Sequence, residues 1–218
     1  MRLRIVALGV LLGAFWQLGE PADAAPVRVV VHDPSGHAVP QAVVMLHALG
    51  RPPHPAAPVR ALMDQMHRAF VPDVLVIPVG STVTFPNTDT TRHEVYSFSS
   101  AHRFQLPLYR GKPYPPEHFD RVGVVTLGCN IHDDMLAYIV VTDAELFGST
   151  DATGVWSSLE VPPGRYRVEL WHPRLADPQQ RPERELTVDQ GTTSMTFVLP
   201  SALRPAALSG RPHSWDAY

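Results

Sequence analysis

Residues 122–141 read VGVVTLGCNIHDDMLAYIVV. Two apolar runs, Gly123 to Leu127 and Leu136 to Thr142, flank a polar stretch, GCNIHDDM at 128–135. Both runs are rich in β-branched residues and have strand length, and neither carries a helical period. The stretch between them is therefore a loop joining two strands. It holds Cys129, His132 and Met135, with two residues between each and the next. Cys129 is the only cysteine of the 218 residues.

Those three side chains have one chemistry in common. Thiolate and thioether are soft donors that favour Cu(I), and imidazole serves both copper oxidation states. An electron-transfer copper site takes two histidines and one cysteine near a plane, with a weak axial methionine. One histidine must then come from elsewhere. His93, in FPNTDTTRHEVYSF at 85–98, opens an apolar-alternating run after a turn-rich segment. The competing reading of an isolated cysteine is a small buried hydrophobe, and that of Met135 is core filler.

The ends bear on this choice. The chain begins MRLRIVALGVLLGAFWQLGEPADAAPV. Arg2 and Arg4 precede an apolar stretch, Ile5 to Leu18, too short for a comfortable membrane span, and Ala22-Asp23-Ala24 is a small-residue cleavage site. Residues 1–24 are expected to be a signal peptide, cleaved after Ala24, with the mature protein in the periplasm and no stable membrane insertion. An uncleaved N-terminal anchor is the alternative. An exported protein uses cysteines mostly in pairs, so a single one must be buried, pair with another chain, or act as a ligand or reactive thiol. The formal net charge is −3. No basic patch points to nucleic acid.

The remainder reads as all-β. Val27 to Val31, Ala42 to Leu46, Val74 to Pro78, Ser81 to Phe85, Glu94 to Phe98, Arg165 to Trp171, Glu185 to Val188 and Ser194 to Leu199 are expected strands. Pro78-Val79-Gly80 is a turn between two of them. The proline-rich stretch 50–60 is an extended connection, and 99–120 is expected to hold little regular structure. Residues 201–218 read as a loose tail. His67, His102 and His118 are expected on the surface or in loops. His32, His37, His47, His54, His172 and His213 lack ligand spacing.

QMHRAFVPDVLVIPVGSTVTFPNTDTTRHEVYSF, followed by VGVVTLGCNIHDDMLAYIVV, resembles the cupredoxin superfamily of plastocyanin and amicyanin. It is similar in detail to the periplasmic plastocyanin-like proteins associated with methylamine utilisation. The likeness spans about residues 61–143. It implies a Greek-key β-sandwich holding one copper ion, with His93, Cys129, His132 and Met135 as ligands. It further implies that Asn87 ties the first-histidine turn to the cysteine loop. The chain differs from many cupredoxins in having Leu127, Asn130 and Ile131 where an aromatic residue and a loop proline are common. Asp134 also stands where relatives often have an aromatic residue, and a carboxylate there could polarise the rim or offer an oxygen ligand.

VRVVVHDPSGHAVPQAVVML and TDATGVWSSLEVPPGRYRVELWHP resemble the two halves of a carboxypeptidase-regulatory-like (transthyretin-like) sandwich. Residues 27–49 and 149–199 are accordingly expected to form a second, discontinuous small β-sandwich around a cupredoxin domain at 61–143. The alternative is a single enlarged sandwich. The function these resemblances imply is a periplasmic type 1 (blue) copper protein that shuttles single electrons between transient redox protein partners and is not an enzyme. The alternatives are a periplasmic copper-binding or copper-delivery protein and a metal-free module for protein contacts.

Overall fold

The computed structural model describes residues 24–177 and 180–205. The expected signal peptide, apart from Ala24, and residues 206–218 of the expected tail lie outside the described residues. Residues 201–205 carry no strand. Among the described residues there are strands and no helix: β1 (Ala25–His32), β2 (Val43–Leu49), β3 (Arg60–Leu62), β4 (Asp64–Met66), β5 (Ala69–Val71), β6 (Val74–Pro78), β7 (Ser81–Thr84), β8 (His93–Ser97), β9 (Phe104–Tyr109), β10 (Glu117–Phe119), β11 (Gly123–Gly128), β12 (Leu136–Thr142), β13 (Leu146–Ser149), β14 (Val155–Val161), β15 (Gly164–Trp171), β16 (Glu183–Val188) and β17 (Thr193–Val198).

The outer strands make one sandwich. β1 lies between β14, antiparallel, and β17, parallel. The facing sheet runs β13-β2-β15-β16. Alternation explains the packing of β1: Val27, Val29 and Val31 are buried while Arg28 between them is exposed. They meet Leu46, Tyr166, Val168, Leu170 and Phe197 in one core. This sandwich also takes in β13, Leu146–Ser149, which pairs with β2 and so carries the second half back to residue 146 rather than 149.

Strands β3 to β12 make a second sandwich. A five-stranded sheet, β6-β12-β11-β8-β9, faces a three-stranded sheet, β10-β7-β3. β10 crosses to the small sheet and β11 returns beside β8, a Greek-key step. Phe85, Phe119, Val83, Val95, Val125, Leu127 and Ile139 fill the space between. The turn at Pro78-Val79-Gly80 does not close a hairpin. β6 pairs with β12 and β7 with β3 and β10, so the turn carries the chain from one sheet to the other. Gly80 at φ 85° permits this bend, with Pro58 packed against it.

The segment 99–120 is more regular than its prolines suggest. β9 pairs with β8, and β10 pairs with β7. Pro107 lies in the edge strand β9, where a missing N–H costs little, and the other prolines fall between the strands.

The two sandwiches share β12. Ala137, Ile139 and Val141 belong to the core of the inner sandwich, whereas Tyr138 and Val140 pack with the core of the outer one. Val74, Val76 and Val124 join them on that outer face. A strand covered on both sides reads as a continuous apolar run, which is how LAYIVVT reads.

His172, which follows β15, is buried. Its Nδ1 accepts the Arg174 N–H at 3.1 Å. Burial, aided by the neighbouring Arg174 charge, pushes its pKa down to about 4. The folded protein keeps this ring neutral while the unfolded chain takes up a proton below about pH 6.5. Unfolding therefore binds protons in that window, and stability falls as pH falls. Denaturant unfolding should show a loss of about 2 kcal/mol between pH 7 and pH 5 from this group alone. In His172→Gln that slope should flatten; an unchanged slope would remove His172 as its source.

Candidate metal centre

The chain leaves the five-stranded sheet at Gly128, crosses a loop, and re-enters at Leu136, which pairs with Gly128. Tyr96 of β8 pairs with Gly128 on its other side. A Cβ at position 128 would stand 2.7 Å from the Tyr96 ring, so glycine is what lets the ring lie over the strand end. β8 and the β11–β12 loop thus meet at one end of the sandwich, and His93 is the first residue of β8.

His93 Nδ1 stands 3.1 Å from His132 Nδ1 and 4.0 Å from Cys129 Sγ. One donor atom from each of the three residues lies within 4.8 Å of the others. His93 and Cys129 are buried, and His132 is half-buried. Met135 is buried in the same core cluster as Cys129, and its amide donates to the His132 carbonyl at 3.0 Å, closing a turn in the loop. Asp133 and Asp134 are exposed, and neither belongs to the three-residue cluster.

The donor set fits an ion. Two imidazole nitrogens and a thiolate, each about 2.0–2.3 Å from one centre, would stand roughly 3.3–3.8 Å apart in tetrahedral or trigonal geometry. The observed separations of 3.1 and 4.0 Å bracket that range. Two nitrogens and a sulfur suit copper, and they also suit zinc.

The orientation of His93 comes from behind. Its Nε2–H donates to Asp89 Oδ2 at 2.9 Å, and Thr91 Oγ1 lies 3.1 Å from the same nitrogen. A proton on Nε2 leaves the Nδ1 lone pair facing Cys129 and His132, the arrangement in which a carboxylate orients a ligating histidine. Asp89 is itself held by the amides of Arg68 and Thr90. The Arg68 amide, followed by His93, keeps its carboxyl well below the usual carboxylate range.

Asn87 acts differently from the expectation. Its Nδ2 donates to the carbonyls of Thr91 and Tyr109, and its Oδ1 accepts the Asp89 N–H. It braces the first-histidine turn against β9, and these bonds use both of its amide hydrogens, so none goes to the cysteine loop. Tyr109 extends the brace: its hydroxyl donates to the Phe85 carbonyl, and burial pushes its pKa up to about 12.

The tie to the cysteine loop comes instead from Glu94, beside His93. Its Oε2 accepts from Asn130 Nδ2 at 2.8 Å, and its Oε1 accepts from Gln105 Nε2. In the sequence neither residue carried this role: Asn130 stood out only as a departure from the loop proline, and Glu94 only as part of a strand. The usable signal is adjacency, since each immediately follows a candidate ligand. His67 and His118 are exposed. His102 is half-buried against Phe104 and Phe119, with Nε2 3.0 Å from Glu117, and does not join the cluster.

No protein-family model and no curated protein matches the chain. Solved structures similar to part of it include a purple cupredoxin from Nitrosopumilus maritimus, 24% identical, covering 38% of this chain and 99% of that one at a TM-score of 0.34. A reduced amicyanin variant is 22% identical over 45% of this chain and 99% of that one, with a TM-score of 0.35. A copper-containing nitrite reductase from Thermus scotoductus is 27% identical over 52% of this chain and 28% of that one, also at 0.35. These likenesses span about half of the chain or less.

Two substitutions probe the support of the site. Asp89→Asn should weaken copper binding about 10–100-fold in a chelator competition, with far-UV dichroism unchanged. Gly128→Ala should cost about 1 kcal/mol or less in denaturant unfolding, because the methyl group meets only the outer end of the half-buried Tyr96 ring, which must swing aside. Wild-type copper affinity in the first variant would show that Asp89 does not orient His93.

Proposed function

We propose that the chain is a periplasmic type 1 copper protein that carries single electrons between redox partners. The observation that carries this reading is the approach of one imidazole nitrogen each from His93 and His132 and of Cys129 Sγ to within 4.8 Å of one another at the end of a β-sandwich. Copper held there would alternate between Cu(I) and Cu(II).

The residues have separable tasks. Cys129 supplies the thiolate and links the site directly to β11. His93, buried and held from behind by Asp89, is a fixed donor. His132 is the half-buried donor and so the one nearest to a docking partner. Met135, buried in the same core as Cys129, would serve as the weak axial ligand. Ile131 and Leu136 are exposed beside the loop and offer an apolar rim for brief contacts with a redox protein. The reading assigns the chain no catalytic step of its own. Its periplasmic location rests on the N-terminal sequence pattern.

The test is spectroscopic. Cu(II) added to the purified protein should give an intense thiolate-to-copper band that bleaches on reduction and returns on oxidation. Cys129→Ser should lose the band. Copper held without that band, or held only as Cu(I), would replace electron transfer with copper delivery. Colour that survived Cys129→Ser would overturn the ligand assignment.

A further inference from the structure

A cleft of about 470 Å³ lies between the two sandwiches, away from the metal cluster. Its walls include Arg121, which precedes β11, Arg181, which precedes β16, and Arg204, which follows β17. Among the described residues no aspartate or glutamate lines it. The chain as a whole has a formal net charge of −3, so three guanidinium groups around one opening are a local feature rather than general basicity.

Each arginine reaches the cleft from a different part of the chain. Arg204 is fixed there, its backbone N–H on the Arg174 carbonyl at 2.8 Å and its Nη2 on the Pro173 carbonyl at 3.1 Å. Arg181 has its Nε 3.5 Å from Glu169 Oε1, while its Nη1 is buried and has no hydrogen-bond acceptor among the described residues. A buried guanidinium N–H without an acceptor costs free energy, so Arg181 is held in place at the cleft wall at some expense. Ser99 and Ser100 add hydroxyl groups to the wall. Tyr138, half-buried and with its ring centroid 5.3 Å from that of the fully buried Trp171, adds an aromatic surface.

We propose that this seam binds a small soluble organic anion carrying two or more negative charges, of the polycarboxylate or phosphate-ester class. The guanidinium fork matches the paired oxygens of carboxylate and phosphate. The volume falls in the range of small-molecule sites and exceeds what a single inorganic ion fills. The aromatic wall suits the carbon body of such a molecule. Because the cleft is lined from both sandwiches, an occupant would also bridge them.

The full chain is titrated calorimetrically with citrate and with glucose 6-phosphate, and inorganic phosphate serves as the small-ion control. Saturable one-site binding of either organic anion, tighter than that of inorganic phosphate, is the expected result. Arg121→Gln and Arg204→Gln should each weaken it tenfold or more, while Arg110→Gln, an exposed arginine outside the cleft, should not. Arg181 also pairs with Glu169, so the two other arginines carry the test, with far-UV dichroism confirming that each variant folds. Absence of saturable binding, or equal loss in Arg110→Gln, overturns the proposal. So does binding to phosphatidylglycerol vesicles with none to the free anions, which would assign the cleft to a lipid headgroup.

Discussion

Strand β12 is buried on both faces, and most of the molecule depends on that. One face closes the core of the inner sandwich through Ala137, Ile139 and Val141. The other presents Tyr138 and Val140 to the core of the outer sandwich. Burying a valine or isoleucine side chain is worth about 1.5–3 kcal/mol, so a strand that buries side chains on both sides is among the hardest to displace. The loop holding Cys129, His132 and Met135 runs directly into it. A register slip of one residue in β12 would exchange the two faces and break both cores at once. The loop therefore ends on an anchor that cannot slide.

The other half of the cluster is held by polar bonds rather than by packing. His93 is buried and takes its orientation from Asp89, which takes its own from the Arg68 and Thr90 amides. Asn87 secures the same turn to β9. Glu94 then links the His93 strand to Asn130 in the loop. Buried polar groups are costly unless satisfied, and here each of these side chains has a named partner. Such a network does little for net stability beyond what apolar packing would give. What it supplies is direction, because a hydrogen bond fixes a ring's rotation and a hydrophobic contact does not.

The parts legible in the sequence were those written locally. The Cys-x-x-His-x-x-Met spacing is a short-range pattern, and the apolar runs beside it have strand length, so the loop and its flanking strands could be read together. The approach of His93 to that loop rested on chemistry, since the cluster lacked an imidazole. Strands β9 and β10 were missed because prolines hid them; Pro107 is tolerated in β9 because that strand lies at the sheet edge. The turn at Pro78–Gly80 was visible, but its passage from one sheet to the other depends on partners far along the chain. The same holds for Glu94 and Asn130, which stand 36 residues apart and bond only once β8 and β11 are neighbours. Asn87 was singled out as a brace, yet its partner could not be read, because Tyr109 lies in the strand that the prolines concealed.

The way the inner sandwich joins the outer one follows from where its ends lie. The chain departs after β2 and returns at β13, and these two strands pair directly, Leu46 against Leu146. The Glu145 amide donates to the Leu46 carbonyl at 3.1 Å, and Arg51 pairs with Glu145 at 2.5 Å. Entry and exit are thus side by side, so the outer sandwich closes over the intervening chain as over a loop, and the entropic cost of closure rises only slowly with its length. Adjacent ends alone would leave the two sandwiches free to swing. The outer face of β12 removes that freedom by burying Tyr138 and Val140 in the neighbouring core. The arginine-lined cleft opens along the same junction, with Tyr138 in its wall, so the contact that fixes the sandwiches together also shapes the cleft between them.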